Sequence, residues 1–200
     1  MTQVFGLRRL YDWVLSWART PYGSIALFLL AFAESSFFPI PPDVLLMALA
    51  LSIPARAFRY ALLAAAGSVL GGIFGYLLGY ALWGALESFF YAYVPGFSPD
   101  GFAQVQALFA QYDFWVVFSA GFTPIPYKII TVGSGVFHVN PVIFVIASAV
   151  SRSLRFFLVA WFIYHFGPPV RVWIEKYFNL LTIIFLILLI GGVWVVKYLF

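Results

Sequence analysis

Five ionisable residues stand inside long apolar stretches of the sequence. Two are acids, Glu34 and Asp43, and three are bases, Lys128, Arg152 and Arg155. A single Asp, Lys or Arg at the centre of a membrane helix costs about 2.5–3.5 kcal/mol on insertion scales. Such residues therefore indicate pairing, hydration or a function. If the five meet, positive charge exceeds negative charge by one, and the cavity between them favours an anion.

The residue types suit phosphate and proton chemistry. Arg152 and Arg155 are three positions apart, so they project from nearly one face of a helix. Arginine makes planar, bidentate contacts with phosphate oxygens, whereas Lys128 would act as a point charge. We therefore predict these three bases as substrate-binding residues, and Glu34 and Asp43 as a proton or charge relay. The alternative is structural pairing alone, and Asp43 could also be a simple helix cap.

Two proline motifs interrupt the apolar stretches at matching places. Pro39-Ile40-Pro41-Pro42-Asp43 returns 85 positions later, from 39 to 124, as Pro124-Ile125-Pro126-Tyr127-Lys128. Proline breaks helices, and a bilayer tolerates a broken backbone only where protein or a water-filled cavity satisfies it. Two broken, charged segments in two halves of a chain are typical of a transporter binding site. The predicted hairpin breaks are Pro39, Pro41, Pro42, Pro124 and Pro126.

Composition places the whole chain in a membrane. Hydrophobic residues make up 64% of the 200 residues, charged residues 9%, and the mean hydropathy is +1.00. A soluble domain carries roughly 25% charged residues. The basic residues are scattered rather than clustered, which argues against nucleic acid as a partner. We therefore predict an all-α integral membrane protein that forms one membrane domain over residues 1–200.

Hydrophobic patterning divides this domain into five segments, which form an inverted repeat of re-entrant hairpin plus transmembrane helix. The predicted segments are an N-terminal interfacial helix (1–20), a first repeat (22–86), a polar connection (87–113), a second repeat (114–167) and a C-terminal transmembrane helix (178–199). The inverted arrangement follows from charge bias, because the connection over 87–113 has no Lys or Arg. By the positive-inside rule the basic loops are cytoplasmic and the connection lies on the other side.

A stripe of glycines marks the span of the first repeat. Gly67, Gly71, Gly75 and Gly79 recur every four residues, which lets another backbone approach one face of the helix closely. We predict helix packing rather than a transport role for them. The stripe could pack within the chain or between chains, so a homo-oligomer is possible.

Other chemistry has little support in the sequence. There is no cysteine, and the two histidines, His138 and His165, have no second metal ligand at a useful spacing. No phosphate-binding glycine loop, nucleophile elbow or zinc-protease motif is present. We therefore expect neither an enzyme nor a cofactor, and no metal site.

The motifs resemble those of the DedA family, the bacterial branch of the SNARE-associated or VTT-domain membrane proteins, and look most like its YqaA subgroup. The resemblance covers about residues 20–167. It is carried by four segments: ESSFFPIPPD from Glu34 to Asp43, the glycine-rich span from Gly67 to Gly79, GFTPIPYKIITVGSG from Gly121 to Gly135, and SRSLRF from Ser151 to Phe156.

This resemblance implies inverted repeats with two re-entrant hairpins and a role in moving lipids, including the cell-wall carrier undecaprenyl phosphate, with dependence on the proton-motive force. The family's acidic pair corresponds to Glu34 and Asp43, and its arginines to Arg152 and Arg155. Many members also carry an acid in the glycine-rich span and an Arg where this chain has Lys128. This departure bears on the identity of the lipid more than on the fold.

We therefore expect a multi-pass lipid transporter of the bacterial cytoplasmic (inner) membrane, of the flippase or scramblase type. Its partner would be an anionic phospholipid or undecaprenyl phosphate, with proton coupling as an option. One alternative is a proton-coupled exporter of small ions or drugs that uses Glu34 and Asp43 as its relay. Another is a non-transporting membrane scaffold whose buried charges only stabilise the fold. An enzyme acting on lipid phosphate is a distant further alternative, because no nucleophile–base pair is present.

Overall fold

The computed structural model describes Trp17 and residues 20–93, 98–123 and 126–167. In these residues every element is helical and no strand occurs, which confirms the all-α prediction. The helices are α1 (Gly23–Ser36), α2 (Asp43–Ser52), α3 (Ala57–Tyr93), α4 (Pro99–Phe122), α5 (Tyr127–Val136) and α6 (Pro141–Gly167). The predicted C-terminal helix (178–199), nearly all of the predicted interfacial helix (1–20) and Pro124 lie outside the described residues.

The first predicted interruption is present between α1 and α2. Helical hydrogen bonding ends where the N–H groups of Phe37 and Phe38 both donate to the carbonyl of Ala33. Three prolines follow, and proline can neither donate to a helix nor fit its interior. At 14 and 10 residues, α1 and α2 are only about 21 and 15 Å long. Neither helix is long enough to cross a hydrocarbon core of about 30 Å.

The second interruption separates α4 from α5. Helix α4 ends at Phe122, and α5 begins after Pro126 and has 10 residues, as α2 has. Each of these ten-residue helices precedes a helix that is long and apolar enough to span a membrane, α3 and α6 respectively. The order of short helix and long helix therefore occurs twice.

The connection over 87–113 is more helical than its polarity suggests. Helix α3 continues to Tyr93, beyond the expected end at residue 86, because no Gly or Pro interrupts residues 85–94. Ser98 then begins α4 as predicted, with its Oγ accepting from the N–H of Gly101 and with proline at the first helical position. This helix runs on to Phe122, with one non-helical residue at Tyr112.

The glycine stripe on α3 receives both broken segments within one chain. A Cβ on Gly67 or Gly71 would overlap the backbone of α1, and one on Gly79 would overlap the backbone of α5. Later residues of α1 and of α5 contact later glycines of α3, so the three helices run in the same direction. The end of α1 meets α5 beside Gly75, which lies 18 residues after Ala57 and 18 before Tyr93. The packing prediction is therefore correct, and both breaks lie near the middle of α3.

Large apolar side chains are exposed on most of the described helices. On α6, large apolar side chains recur every fourth residue with 43–64% of their surface exposed, at Val142, Ile146, Val150, Leu154 and Leu158. Exposed apolar surface of this extent is unusual for a soluble monomer and is typical of a lipid-facing helix. Polar side chains are instead buried between the helices, at Ser35, Ser36, Ser68, Thr131, Ser134, Ser148, Ser151 and Arg152.

Candidate functional site

Helix α6 carries two arginines into the centre of the fold. Arg152 lies 11 residues after Pro141, and Arg155 lies 12 residues before Gly167, so both are near the midpoint of the helix. Each reaches a different acid of the first broken segment. Arg152 pairs with Glu34 on α1, and Arg155 pairs with Asp43 at the start of α2. The structure therefore brings together four of the five predicted charges.

The Glu34–Arg152 pair is the more buried of the two. Nη2 of Arg152 lies 2.8 Å from Oε2 of Glu34, and Arg152 is only 3% exposed. The guanidinium carbon lies over two aromatic rings, 4.8 Å from the centroid of Tyr127 and 4.7 Å from that of Phe156. A carboxylate at one nitrogen and two aromatic rings at the guanidinium carbon restrict the orientation of this buried cation.

Two serines extend this pair into a ring that the sequence did not predict. Nε of Arg152 donates to Oγ of Ser68, which lies 2.6 Å from Oγ of Ser35. Ser35 in turn donates to Oε2 of Glu34 at 3.2 Å. A weak signal was available, because Ser35 adjoins Glu34 and Ser68 adjoins the first glycine of the stripe. Neither position indicates by itself which hydroxyl it meets.

Arg155 joins the two interruptions of the chain. Its Nε and Nη2 each lie 3.1 Å from Oδ1 of Asp43. Its Nη1 donates to the carbonyl oxygens of Phe122 and Thr123, at 3.3 and 3.1 Å. Carbonyls at a helix C-terminus lack intrahelical donors and favour a cation. One side chain thus holds the start of α2 against the end of α4.

Lys128 does not join these ion pairs. It is the second residue of α5, its side chain is half-buried, and it forms no ion pair with any described residue. The preceding residue, Tyr127, contacts Arg152 instead and donates from its hydroxyl to Oγ of Ser148. The prediction that Lys128 binds substrate together with the two arginines stays a prediction, and the contact of Tyr127 with Arg152 was not predicted.

A buried hydroxyl face on α5 connects the second broken segment to the first. Tyr127, Thr131 and Ser134 follow at helical spacing and are all fully buried. Oγ1 of Thr131 donates to the carbonyl of Ser35 at 2.8 Å, and this bond joins α5 to the end of α1. Oγ of Ser134 has no hydrogen-bond partner among the described residues.

The histidines lie away from this cluster. His138 is in the turn after α5, with a positive φ of 54° and its ring against Tyr80. His165 is in the last turn of α6 and its Nδ1 lies 3.0 Å from the carbonyl oxygen of Trp161. Among the described residues, no group of three or more His, Asp or Glu side chains is placed to hold a metal ion.

The fold and the cluster together define a class: an all-helical membrane protein whose two long helices enclose paired charges beside broken helices. Sequence comparison agrees, because residues 40–165 match the VTT domain. The chain belongs to the VTT-domain family, which is the DedA family. The matched region contains every predicted charged residue except Glu34, which lies six positions before it.

Two relatives extend this result without naming an activity. A Haemophilus influenzae protein named "Uncharacterized protein" is 35% identical over 158 residues, which are 79% of this chain and 80% of the relative. A Histophilus somni protein named "Uncharacterized protein HI0703 homolog" is 37% identical over 177 residues, 86% of this chain and 90% of the relative. No solved structure matches the chain.

Proposed function

We propose that this protein moves lipids with an anionic headgroup across the bacterial cytoplasmic membrane, as a flippase or scramblase. The observation that carries the proposal is the placement of the charges. Two acid–base pairs lie beside the helix breaks and at the midpoint of α6, and Lys128 adds a positive charge without an ion-pair partner among the described residues. Charges in such a place are typical of a transport pathway.

We further propose that the two broken segments are re-entrant hairpins of an inverted repeat. Three features support this: the short lengths of α1, α2 and α5, the ten-residue helix that precedes each long helix, and the meeting of both segments beside Gly75. A re-entrant backbone is tolerated where protein covers it, and α3 and α6 supply that cover. The cluster would then lie near the bilayer midplane.

The charges suggest how a phosphate could enter. A phosphate oxygen would replace the Glu34 carboxylate at Arg152 while Glu34 takes up a proton, and Asp43 would keep Arg155 in place. Arg152 and Lys128 would then present two uncompensated positive charges. A phosphate monoester carries about −1.5 to −2 at neutral pH, so this count fits undecaprenyl phosphate better than a singly charged phospholipid. The isoprenoid tail would remain in the bilayer.

Proteoliposomes test this function directly. Labelled undecaprenyl phosphate and ordinary phospholipids are followed side by side, with and without an imposed proton gradient, for wild type and Arg152→Ala. Arg59→Ala is the matched control, because Arg59 is an exposed arginine in the first turn of α3. We expect selective movement of the isoprenoid phosphate in wild type and in the control, and loss of movement in Arg152→Ala.

Other outcomes assign the protein differently. Equal movement of all lipids would mean a scramblase without headgroup selection. Uptake of labelled inorganic phosphate or of another soluble ion, without lipid movement, would favour the exporter. Normal lipid movement by Arg152→Ala would refute a role for this cluster in transport.

A membrane scaffold is the second candidate, and one observation favours it. Both acids are already paired with both arginines, so the cluster could serve only to hold α1, α2 and α6 together. The scaffold predicts that the paired replacement Glu34→Gln with Arg152→Gln retains the cellular function, because both charges are removed together and no unpaired charge is left buried. A transporter would lose its function with the same replacement.

A further inference from the structure

The ring around Glu34 and Arg152 has only one possible direction of hydrogen bonding. A guanidinium can only donate and a carboxylate can only accept. Ser35 donates its one hydrogen to the Glu34 carboxylate, so between the two serines it is Ser68, which accepts from Nε of Arg152, that donates to Ser35. Oε2 of Glu34 therefore receives two donors, Nη2 of Arg152 and Oγ of Ser35.

Different helices contact different atoms of the Arg152 guanidinium. Its Nε is held by Ser68 on α3, and its guanidinium carbon contacts the rings of Tyr127 on α5 and Phe156 on α6. Only Nη2 depends on Glu34, which belongs to the short helix α1. If Glu34 leaves, the other three contacts keep the guanidinium plane in place. Nη2 and the Ser35 hydroxyl then both face the acceptor position that Oε2 had occupied.

We propose that Ser35 and Ser68 complete an anion-binding site in which a lipid phosphate oxygen takes the place of Oε2 of Glu34. Ser68 is a positioning residue, because it orients Arg152 without meeting the phosphate. Ser35 is a binding residue, because it supplies the second donor to the phosphate oxygen. This inference rests on the proposed function and adds two residues to its site, both fully buried and neither of them charged.

The test measures how transport by the full-length protein depends on lipid concentration. Proteoliposomes with increasing mole fractions of labelled undecaprenyl phosphate give a half-saturating fraction and a maximum rate for each variant. We expect Ser35→Ala and Ser68→Ala each to raise the half-saturating fraction about tenfold. Each change removes a hydrogen bond from the series that links the Arg152 guanidinium to the bound anion. We expect the maximum rate to change less than the half-saturating fraction.

Two further variants separate this role from plain stability. The double replacement should be no worse than the more affected single one, because either change breaks the same ring. Ser68→Thr, which keeps a hydroxyl, should restore the half-saturating fraction and also covers the case in which Ser68→Ala does not fold. Ser52→Ala is the matched control, because Ser52 is exposed and donates only to the carbonyl of Ala48 within its own helix.

Each remaining result overturns the inference in a recognisable way. If wild type moves the lipid and both serine variants have the same half-saturating fraction as wild type, the proposed anion-binding site is wrong. The proposed function would still stand. If the variants lose maximum rate in proportion to lost folded protein, the serines are only structural. If wild type moves no phosphate lipid, the proposed function fails and this inference fails with it.

Discussion

Arg152 donates from Nη2 to Oε2 of Glu34 across 2.8 Å, although the two residues are 118 positions apart in the sequence. This contact joins α1, before the first helix break, to the middle of α6. A second pair, between Arg155 and Asp43, joins the same long helix to the chain just after that break. The first break is therefore held on both sides by arginines of one helix.

Removing one partner of the buried pair should destabilise the protein strongly. Glu34→Ala leaves the Arg152 cation without its carboxylate, and we expect a loss of about 3–5 kcal/mol in the free energy of unfolding. The double replacement Glu34→Ala with Arg152→Ala should cost less than the sum of the two single changes. Thermal unfolding in detergent measures both. Glu87→Ala, at an exposed acid of α3, is the control and should have a small effect.

Two glycines of α3 should respond oppositely to the same substitution. A Cβ on Gly71 would overlap the backbone carbonyl of Phe32, so Gly71→Ala should separate α1 from α3 and destabilise by about 1–3 kcal/mol. A Cβ on Gly84 would meet nothing within 4 Å, so Gly84→Ala should stabilise the helix by roughly 0.5–1 kcal/mol. Equal unfolding temperatures for the two variants would contradict the close packing of α1 on the glycine stripe.

Arg155 should not be replaceable by lysine. Arg155 contacts Asp43 and two carbonyls at the end of α4 at once, and an ammonium on a flexible stem cannot reproduce that planar fork. We expect Arg155→Lys to recover at most half of the stability lost in Arg155→Ala, as judged by thermal unfolding. Full recovery by lysine would mean that charge alone matters at this position.

Lys128 should affect transport without affecting stability. It forms no ion pair with any residue that the structure describes, so Lys128→Ala should change the unfolding free energy by no more than about 0.5 kcal/mol. Movement of the anionic lipid in proteoliposomes should nevertheless fall, because one of the positive charges proposed to meet the phosphate is removed. Unchanged movement would exclude Lys128 from the substrate path.

Features that depend on neighbouring residues in the chain could be predicted from the sequence. The break after Ser36 follows from three nearby prolines, and the start of α4 follows from Ser98 and Pro99. The prediction ends α3 too early, because it follows the polarity of the segment rather than the positions of helix-breaking residues. Glu87 is polar and exposed, yet nothing in residues 85–94 prevents the helix from continuing.

The composition and spacing of the chain by themselves determined that it is helical and suited to a membrane, that two prolyl breaks interrupt it, and that acids and bases accompany those breaks. Only the tertiary structure decided which groups meet. Ser68 lies 84 positions from Arg152 and 33 from Ser35, and no local rule relates them. Their contact depends on the depth at which α1 and α6 pack against α3. The physical reason is that backbone preferences act over a few residues, whereas a buried polar group must be satisfied by whatever the packed helices bring to it.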